Sequence, residues 1–318
     1  MKRIWQSGMI ALARSPRVTR WMQGNRATAS IARRFVAGAD AAQAMSVARE
    51  LEKAGFKASL YYLGEYVKDP AIVAENGRQK IAVAESLKAA QLQIHVSIDS
   101  TQIGYAIDEA AGEALALRIG SRIRDLGQAA GPPPVLMLNM EDAEYVDRIL
   151  ALRARLLAAG VPIAQTLQAY LRRSAGDLAP MIAAGGGQVR LVKGAFADPR
   201  PHAFQSPAEI DENYLKLARM MLGAEARAHG FRPVFGTHDD ALIAEIRLIA
   251  KNGGWQPGQY EFEMLYGVRT ELQRQLRAAG EQVRLYLPFG RDWWPYAVRR
   301  VGESPRNAAL LARALVSG

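Results

Sequence analysis

The 318-residue chain contains no cysteine, so disulfide bonds, thiolate metal sites and cysteine nucleophiles are excluded. This absence indicates a reducing compartment such as the cytoplasm. Long apolar runs are also missing, and no segment is predicted to span a membrane. Histidine is scarce, with four residues and no HxH or HExxH pattern, and we expect no metal ion at the site.

The formal net charge of +10 raises the question of an anionic partner. The arginines lie beside acidic neighbours along the helical segments, as on solvated helix faces, and no basic run is interleaved with aromatic residues. We therefore expect no nucleic-acid partner. One basic helix is predicted at each end of the chain, which leaves open a weak peripheral contact with the inner face of an anionic membrane.

Eight short apolar or β-branched runs alternate with longer helical segments. This alternation predicts a closed (βα)8 barrel of the TIM type, with an open doubly wound sheet as the alternative. No GxGxxG follows the first run, which counts against the open sheet. The predicted strands are 57–64, 92–99, 134–140, 162–168, 188–194, 232–238, 260–265 and 283–288.

The chain is predicted to divide into helices at residues 1–55, which pack on the barrel, and the barrel itself at residues 56–318. A last helix is expected to lie over the strand ends. Because the active site of such a barrel lies at the carboxyl ends of its strands, polar residues there are candidates, although each could also be an ordinary rim residue. They are Asp99, Asn139, Glu141, Gln168, Arg190, Lys193, Thr237, His238 and Tyr286.

Two of these positions allow alternative interpretations. Arg190 in a buried strand needs either an anionic ligand or a salt bridge to another strand. Thr237 and His238 either donate hydrogen bonds to a ligand or belong to a helix cap, with Asp239 or Asp240 opening the next helix.

The late segment WPYAVRRVGE places Tyr296, Arg299, Arg300 and Glu303 on one face of a predicted helix. Two adjacent guanidinium groups would bind a small carboxylate well. The alternative is a surface helix with an Arg299–Glu303 pair, which would contribute only about 0.3 kcal/mol.

Five motifs in order resemble the proline dehydrogenase family: LQAYLRR (167–173), VRLVKGAF (189–196), GTHDD (236–240), YEFEMLYGVR (260–269) and LYLPFGRDWWPYAVRRVGE (285–303). The resemblance implies an FAD-dependent barrel that oxidises L-proline to Δ1-pyrroline-5-carboxylate and passes electrons to a membrane quinone or another acceptor. It also assigns residues to the substrate, namely Arg299, Arg300, Tyr286, Tyr296, Leu265 and Glu303. The residues implied for FAD are Met140, Gln168, Arg190, Val192, Lys193, Gly194, Ala195, Thr237 and His238.

The chain departs from the family pattern at Asp99, where a lysine is usual, and at Asn139, where an aspartate is usual. These two residues and Arg190 are expected to form the catalytic group. Asp99 could pair with Arg299 or Arg300, recognise an additional group on the substrate, or mark lost catalysis. We therefore expect oxidation of L-proline or a closely related cyclic or secondary amino acid. The alternatives are a modified biosynthetic substrate and a non-catalytic flavin-binding protein.

Overall fold

The computed structural model describes residues 34–64, 67–127, 131–294 and 296–297. In this part of the chain, eight parallel strands close into a barrel in which each strand pairs with the next and the last pairs with the first. The predicted barrel is confirmed, and an open sheet is excluded. The strands are β1 Lys57–Tyr62, β2 His95–Ile98, β3 Val135–Leu138, β4 Ile163–Gln168, β5 Gln188–Val192, β6 Arg232–Gly236, β7 Glu261–Leu265 and β8 Val283–Phe289.

The helices surround the barrel; the first precedes β1, and the others come after strands in the chain. They are α1 Ala41–Lys53, α2 Pro70–Ala89, α3 Glu109–Asp125, α4 Val146–Ala158, α5 Ser174–Ala183, α6 Pro207–Met221, α7 Ala224–Ala228, α8 Asp240–Asn252 and α9 Thr270–Ala278, with a 3-10 turn at Thr101–Ile103. Four of them, α1, α2, α3 and α8, begin after an aspartate whose side chain accepts hydrogen bonds from first-turn N–H groups. The caps of α2, α3 and α8 fix where these helices start relative to the preceding strand.

Every predicted strand overlaps an observed one, and the differences lie at the ends. β5 ends at Val192 and β6 at Gly236, so Lys193 and His238 lie in loops beyond the strands. Gly194 has a φ of 97°, which takes the chain out of the extended conformation. The predicted strand 188–194 therefore ends two residues earlier than expected.

The N-terminal part of the described chain packs on the barrel through α1, which contacts β1, β8 and α2. The Ala37 N–H also donates to the Pro288 carbonyl at 2.8 Å. Most of the predicted N-terminal unit, residues 1–33, lies outside the described residues, so the division at residue 55 stays a prediction. None of the described helices is both long and apolar enough to cross a membrane.

The barrel has two different cores. Between strands and helices, the core is apolar and nearly continuous around the barrel. Inside the barrel, a small apolar cluster of Val135, Met137 and Ala164 is surrounded by polar side chains. Because water cannot solvate charges there, the interior charges have to be paired with one another.

Arg284 and Glu261 form one such interior pair on β8 and β7. The guanidinium binds both carboxylate oxygens, at 2.9 Å from Nε and 3.1 Å from Nη2. It also donates to the Ala58 carbonyl on β1 and to the Gln93 side chain before β2, each at 2.9 Å. This arginine thus connects the last two strands with the first two, where the barrel closes.

We predict that Glu261→Met lowers the free energy of unfolding by about 3–5 kcal/mol, because it leaves the buried charge of Arg284 without its counter-charge. Urea unfolding would measure the change. The matched control is Glu271→Met, which breaks the exposed Glu271–Arg274 pair on α9 and should cost less than about 1 kcal/mol. Equal losses in both variants would contradict the role given to the interior pair.

Candidate active site

A cavity of about 560 Å³ opens at the carboxyl ends of β5 to β8. It lies where the active site of a parallel barrel is expected. Most of the residues predicted to contact a cofactor line it, together with two predicted substrate residues. The lining residues are Gln168, Arg190, Val192, Lys193, Gly194, Ala195, Phe196, Gly236, Thr237, His238, Asp239, Glu263, Met264, Leu265 and Tyr286.

Arg190 forms the floor of this cavity and is buried. Its Nη1 pairs with Glu263 Oε1 at 2.7 Å, and its Nη2 donates to Thr166 Oγ1 at 2.9 Å and to Asn139 Oδ1. The salt bridge expected as one alternative therefore exists, across the barrel from β5 to β7. Arg190 Nε has no hydrogen-bond partner among the described residues, so one donor is left for a ligand.

Asp99, Asn139 and Tyr286 form a continuous hydrogen-bonded chain beside the cavity. Asn139 Nδ2 donates to Asp99 Oδ1 at 2.6 Å and to the Tyr286 hydroxyl at 3.2 Å. The other Asp99 oxygen accepts from the Tyr61 hydroxyl. The structure thus brings the three predicted catalytic residues together, because Asn139 Oδ1 also contacts Arg190.

Tyr286 lies between the chain and the cavity. Its ring stacks on Tyr61 with centroids 5.3 Å apart, and the Arg190 guanidinium lies 5.1 Å from its centroid. Burial and the charge of Asp99 raise the pKa of Tyr286 well above its ordinary value, so the hydroxyl stays protonated at neutral pH. Tyr286 can therefore act as a neutral wall and donor, and not as a base.

Gln168 ends β4 at the opposite side of the cavity. Its Nε2 donates to the Met140 carbonyl at 3.2 Å, and its buried Oε1 has no partner in the described part of the chain. The side chain of Met140 packs in the outer core instead of lining the cavity. Met140 therefore positions Gln168 through its backbone, which differs from the direct contact expected for it.

The loop after β5 supplies the outer wall. Lys193 forms ion pairs with Asp239, at 3.0 Å, and with Asp211. A Cβ atom on Gly194 would lie 2.1 Å from the ring of Tyr170, so any larger residue would displace this loop. The small residue at position 194 therefore keeps the loop close to the barrel and the cavity open.

The GTHDD segment combines both functions considered for it. Asp239 caps α8 and accepts from the N–H groups of Ala241 and Leu242, while Thr237 and His238 line the cavity. The Leu265 N–H donates to His238 Nε2 at 2.9 Å. A neutral His238 must then carry its proton on Nδ1.

Glu141 fastens the loop after β2 to the loop after β3. Its carboxylate accepts from the Thr101 N–H at 3.1 Å and from the hydroxyls of Thr101 and Ser100. Burial and the charge of Asp99 raise the pKa of Glu141 to about 7, although these hydrogen bonds act in the opposite direction. Glu141 therefore changes charge near neutral pH directly beside the Asp99 chain.

The proline dehydrogenase family model matches residues 44–313 of the chain. A proline dehydrogenase of Deinococcus radiodurans is 35% identical over 291 residues, which cover 91% of each chain. The chain belongs to the proline dehydrogenase family. Proline dehydrogenase 1 of Bacillus subtilis is 32% identical and covers 90% of each chain.

Solved structures of proline utilization A (PutA) share the fold of this family member. The protein from Bdellovibrio bacteriovorus superimposes with a TM-score of 0.75 at 23% identity, over 86% of this chain and 32% of that one. The protein from Corynebacterium freiburgense gives 0.74 at 22% identity, over 99% of this chain and 34% of that one. This proline dehydrogenase family chain thus spans about a third of those longer proteins.

Three predicted substrate residues of this family member, Arg299, Arg300 and Glu303, lie outside the described residues. Tyr296 is described and buried, and it lies near enough to Tyr286 to raise the pKa of that residue. The carboxylate site expected on this helix therefore stays a prediction.

Sequence reasoning missed four residues that hold the site in place: Tyr61, Thr166, Glu263 and Lys80. Acidic residues at positions 261 and 263 of one buried strand were a usable signal, because they require cations inside the barrel. Lys80 lies at helical spacing from Val83, Ala84 and Leu87 on the buried face of α2, where a lysine is unusual.

We predict that the free energy of unfolding of the protein decreases, relative to that of the Glu141→Gln variant, as pH rises from about 5 to 7.5. An unfolded glutamate has a pKa near 4.5, whereas Glu141 in the folded chain has a pKa of about 7. The folded state therefore binds the proton more tightly, and this contribution is lost as pH rises through 7. The stability difference should change by up to about 3 kcal/mol. Urea unfolding at both pH values would measure it, and a pH-independent difference would refute the shift.

Proposed function

We propose that the protein is an FAD-dependent oxidoreductase that acts on the CH–NH group of L-proline or a closely related cyclic or secondary amino acid. The product would be a Δ1-pyrroline-type imine, and a quinone or another acceptor would reoxidise the flavin. Family membership along residues 44–313 supports the reaction class. The absence of cysteine supports a cytoplasmic location, with peripheral contact at the inner membrane face as a route to a quinone.

The observation that carries the proposal is the cavity over Arg190, which has unused hydrogen-bonding groups beside it. Arg190 Nε and Gln168 Oε1 are buried and have no partner within the described chain. A flavin ring carries both acceptors and a donor at its edge, so a donor and an acceptor in one cavity fit it. Val192, Lys193, Gly194, Ala195, Thr237 and His238 would complete its surroundings.

When bound, FAD would take up a hydride from the carbon beside the substrate nitrogen, while that nitrogen loses its proton and the C=N bond forms. Arg190 would place a fixed positive charge beside the group that receives the electrons. Its ion pair with Glu263 fixes the guanidinium in advance, so that little reorganisation is needed during the reaction.

The substrate would lie against Tyr286 and Leu265, which line the cavity, with Tyr296 near Tyr286. Arg299 and Arg300 would bind its carboxylate, and Glu303 would orient them. The chain from Asp99 through Asn139 holds the Tyr286 hydroxyl in place. These residues would bind and orient the substrate and exclude water from it.

The alternative interpretations have less support. Asp99 was a candidate for recognising an additional group on a modified substrate. Both of its oxygens already accept hydrogen bonds, from Tyr61 and Asn139, so an additional substrate group would have to share these oxygens with them. A non-catalytic flavin protein is less supported because the relatives that match along about nine-tenths of the chain are proline dehydrogenases.

Anaerobic titration tests the proposed reaction directly. We predict that L-proline bleaches the visible absorbance of oxidised FAD in the loaded protein, because two electrons pass to the flavin. L-Hydroxyproline and acyclic secondary amino acids serve as comparison substrates. If none of them bleached a correctly loaded protein, the enzymatic function would be refuted.

A pair of glutamine variants tests the cofactor site. Gln168→Met should weaken FAD binding about tenfold, because it removes one hydrogen bond to the ligand. Gln165→Met is the matched control, since Gln165 lies on the same strand and is buried but does not line the cavity. Equilibrium dialysis against FAD would compare them. Equal affinities in both variants would place the flavin elsewhere.

A further inference from the structure

Lys80 is a fully buried lysine on α2 that has no role in the proposed reaction so far. It lies on the helix face that packs toward the barrel, with Asn76, Gly77, Val83 and Leu87. A buried ammonium group is costly unless other groups compensate its charge. The contacts of Lys80 therefore indicate what the charge is for.

Lys80 contacts the Asp99 chain through two elements. Its Nζ donates to the Ser97 carbonyl on β2 at 2.9 Å and lies 5.4 Å from the ring centroid of Tyr61 on β1. The hydroxyl of the same Tyr61 donates to Asp99. A cation and a carboxylate thus flank one buried tyrosine.

The charges of Lys80 and Asp99 depend on each other. Burial lowers the pKa of Lys80 to about 7, and the charge of Asp99 counteracts part of this decrease. Conversely, an ionised Asp99 inside the barrel needs positive charge nearby, since Tyr61 and Asn139 offer only neutral hydrogen bonds. Lys80 and Arg190 both interact with its charge, Lys80 from the side of β1 and Tyr61, and Arg190 from the side of the cavity.

Asp99 and Arg190 orient the Asn139 amide from opposite sides. An ionised carboxylate can only accept and a guanidinium can only donate, so Nδ2 of Asn139 faces Asp99 and Oδ1 faces Arg190. The charges of Asp99 and Arg190 thus both favour the same orientation of this amide.

We propose that Lys80 is a positioning residue: its ammonium group and the carboxylate of Asp99 hold each other in the charged state and thereby fix Asn139 and Tyr286 beside the cavity. The effect on catalysis rests on the proposed function, whereas the charge pairing does not. Loss of the Lys80 proton would make the site more negative by one charge and weaken the binding of an anionic carboxylate.

Other titratable groups near Lys80 affect how a pH dependence of substrate binding has to be interpreted. Tyr61 faces it from β1, and Asp99 follows β2. Glu141 does not act on Lys80 directly, but it interacts with Asp99 and also has a pKa of about 7. Every pH profile is therefore measured in the Glu141→Gln background as well.

A double-mutant cycle on stability tests the pairing without any enzymatic activity. Lys80→Met and Asp99→Asn are made singly and together, and urea unfolding is measured at pH 6.5. Each substitution should raise the unfolding equilibrium constant by a certain factor. We expect the factor for the double variant to be at least about tenfold smaller than the product of the two single-variant factors. Lys53→Met, at an exposed residue of α1, is the control and should combine independently with Asp99→Asn. If the factor for the double variant of Lys80 and Asp99 equalled the product of the two single-variant factors within about twofold, the proposal would be overturned.

Steady-state kinetics with L-proline test the consequence for the site. In Glu141→Gln, KM should rise several-fold between pH 6 and pH 8.5. The variant that carries Lys80→Met in addition should have a high KM over this whole pH range, and its kcat should change less than its KM. A Lys80→Met variant that kept the original KM profile would overturn the positioning role. If no variant oxidised proline, the proposed function would fail, while the stability cycle would still decide the pairing.

Discussion

The pairing of charges inside the barrel is the constraint on which the rest of the structure depends. The interior contains Arg284 with Glu261 near the amino ends of the strands and Arg190 with Glu263 nearer their carboxyl ends. Arg284 and Glu261 lie on the paired strands β8 and β7, whereas Arg190 and Glu263 lie on β5 and β7, on either side of β6, so both ion pairs depend on the register of these strands. Arg284 also donates to Ala58 on β1, a contact that exists only when β8 and β1 close the barrel. The same interactions that compensate the buried charges also determine where Arg190 lies under the cavity.

The two halves of the barrel rim differ because of this arrangement. On the side of β5 to β8, the small residues Gly194, Ala195 and Gly236 line the rim, and a cavity of about 560 Å³ remains above Arg190. A Cβ atom on Gly236 would lie 2.7 Å from the Val192 side chain, so a larger residue there would close part of the space. On the side of β1 to β3, Tyr61, Asp99 and Asn139 fill the corresponding space with hydrogen bonds.

Much of the fold could be predicted from the sequence, since the alternation of apolar runs and helices depends on local periodicity. The location of Gln168, Arg190 and Tyr286 at one end of the barrel followed from the rule that strand ends meet there. The partners of the charges could not be predicted, because Arg190 and Glu263 are 73 residues apart and only the register of β5, β6 and β7 brings them together. Lys80 was missed since its contact with Tyr61 and Ser97 depends on how α2 packs on β1 and β2.

Tyr286 is the residue at which the two halves of the rim meet. Its ring lies over Arg190 and lines the cavity, and its hydroxyl is bound to Asn139. In the proposed reaction, a substrate bound in the cavity would therefore lie against this tyrosine and close to the Asp99 chain. Asp99 accepts hydrogen bonds from Tyr61 and Asn139, and the proposed pairing with Lys80 would offset its negative charge before any substrate binds. An anionic carboxylate could then bind near an aspartate, which would explain how a family member accommodates Asp99 at this position.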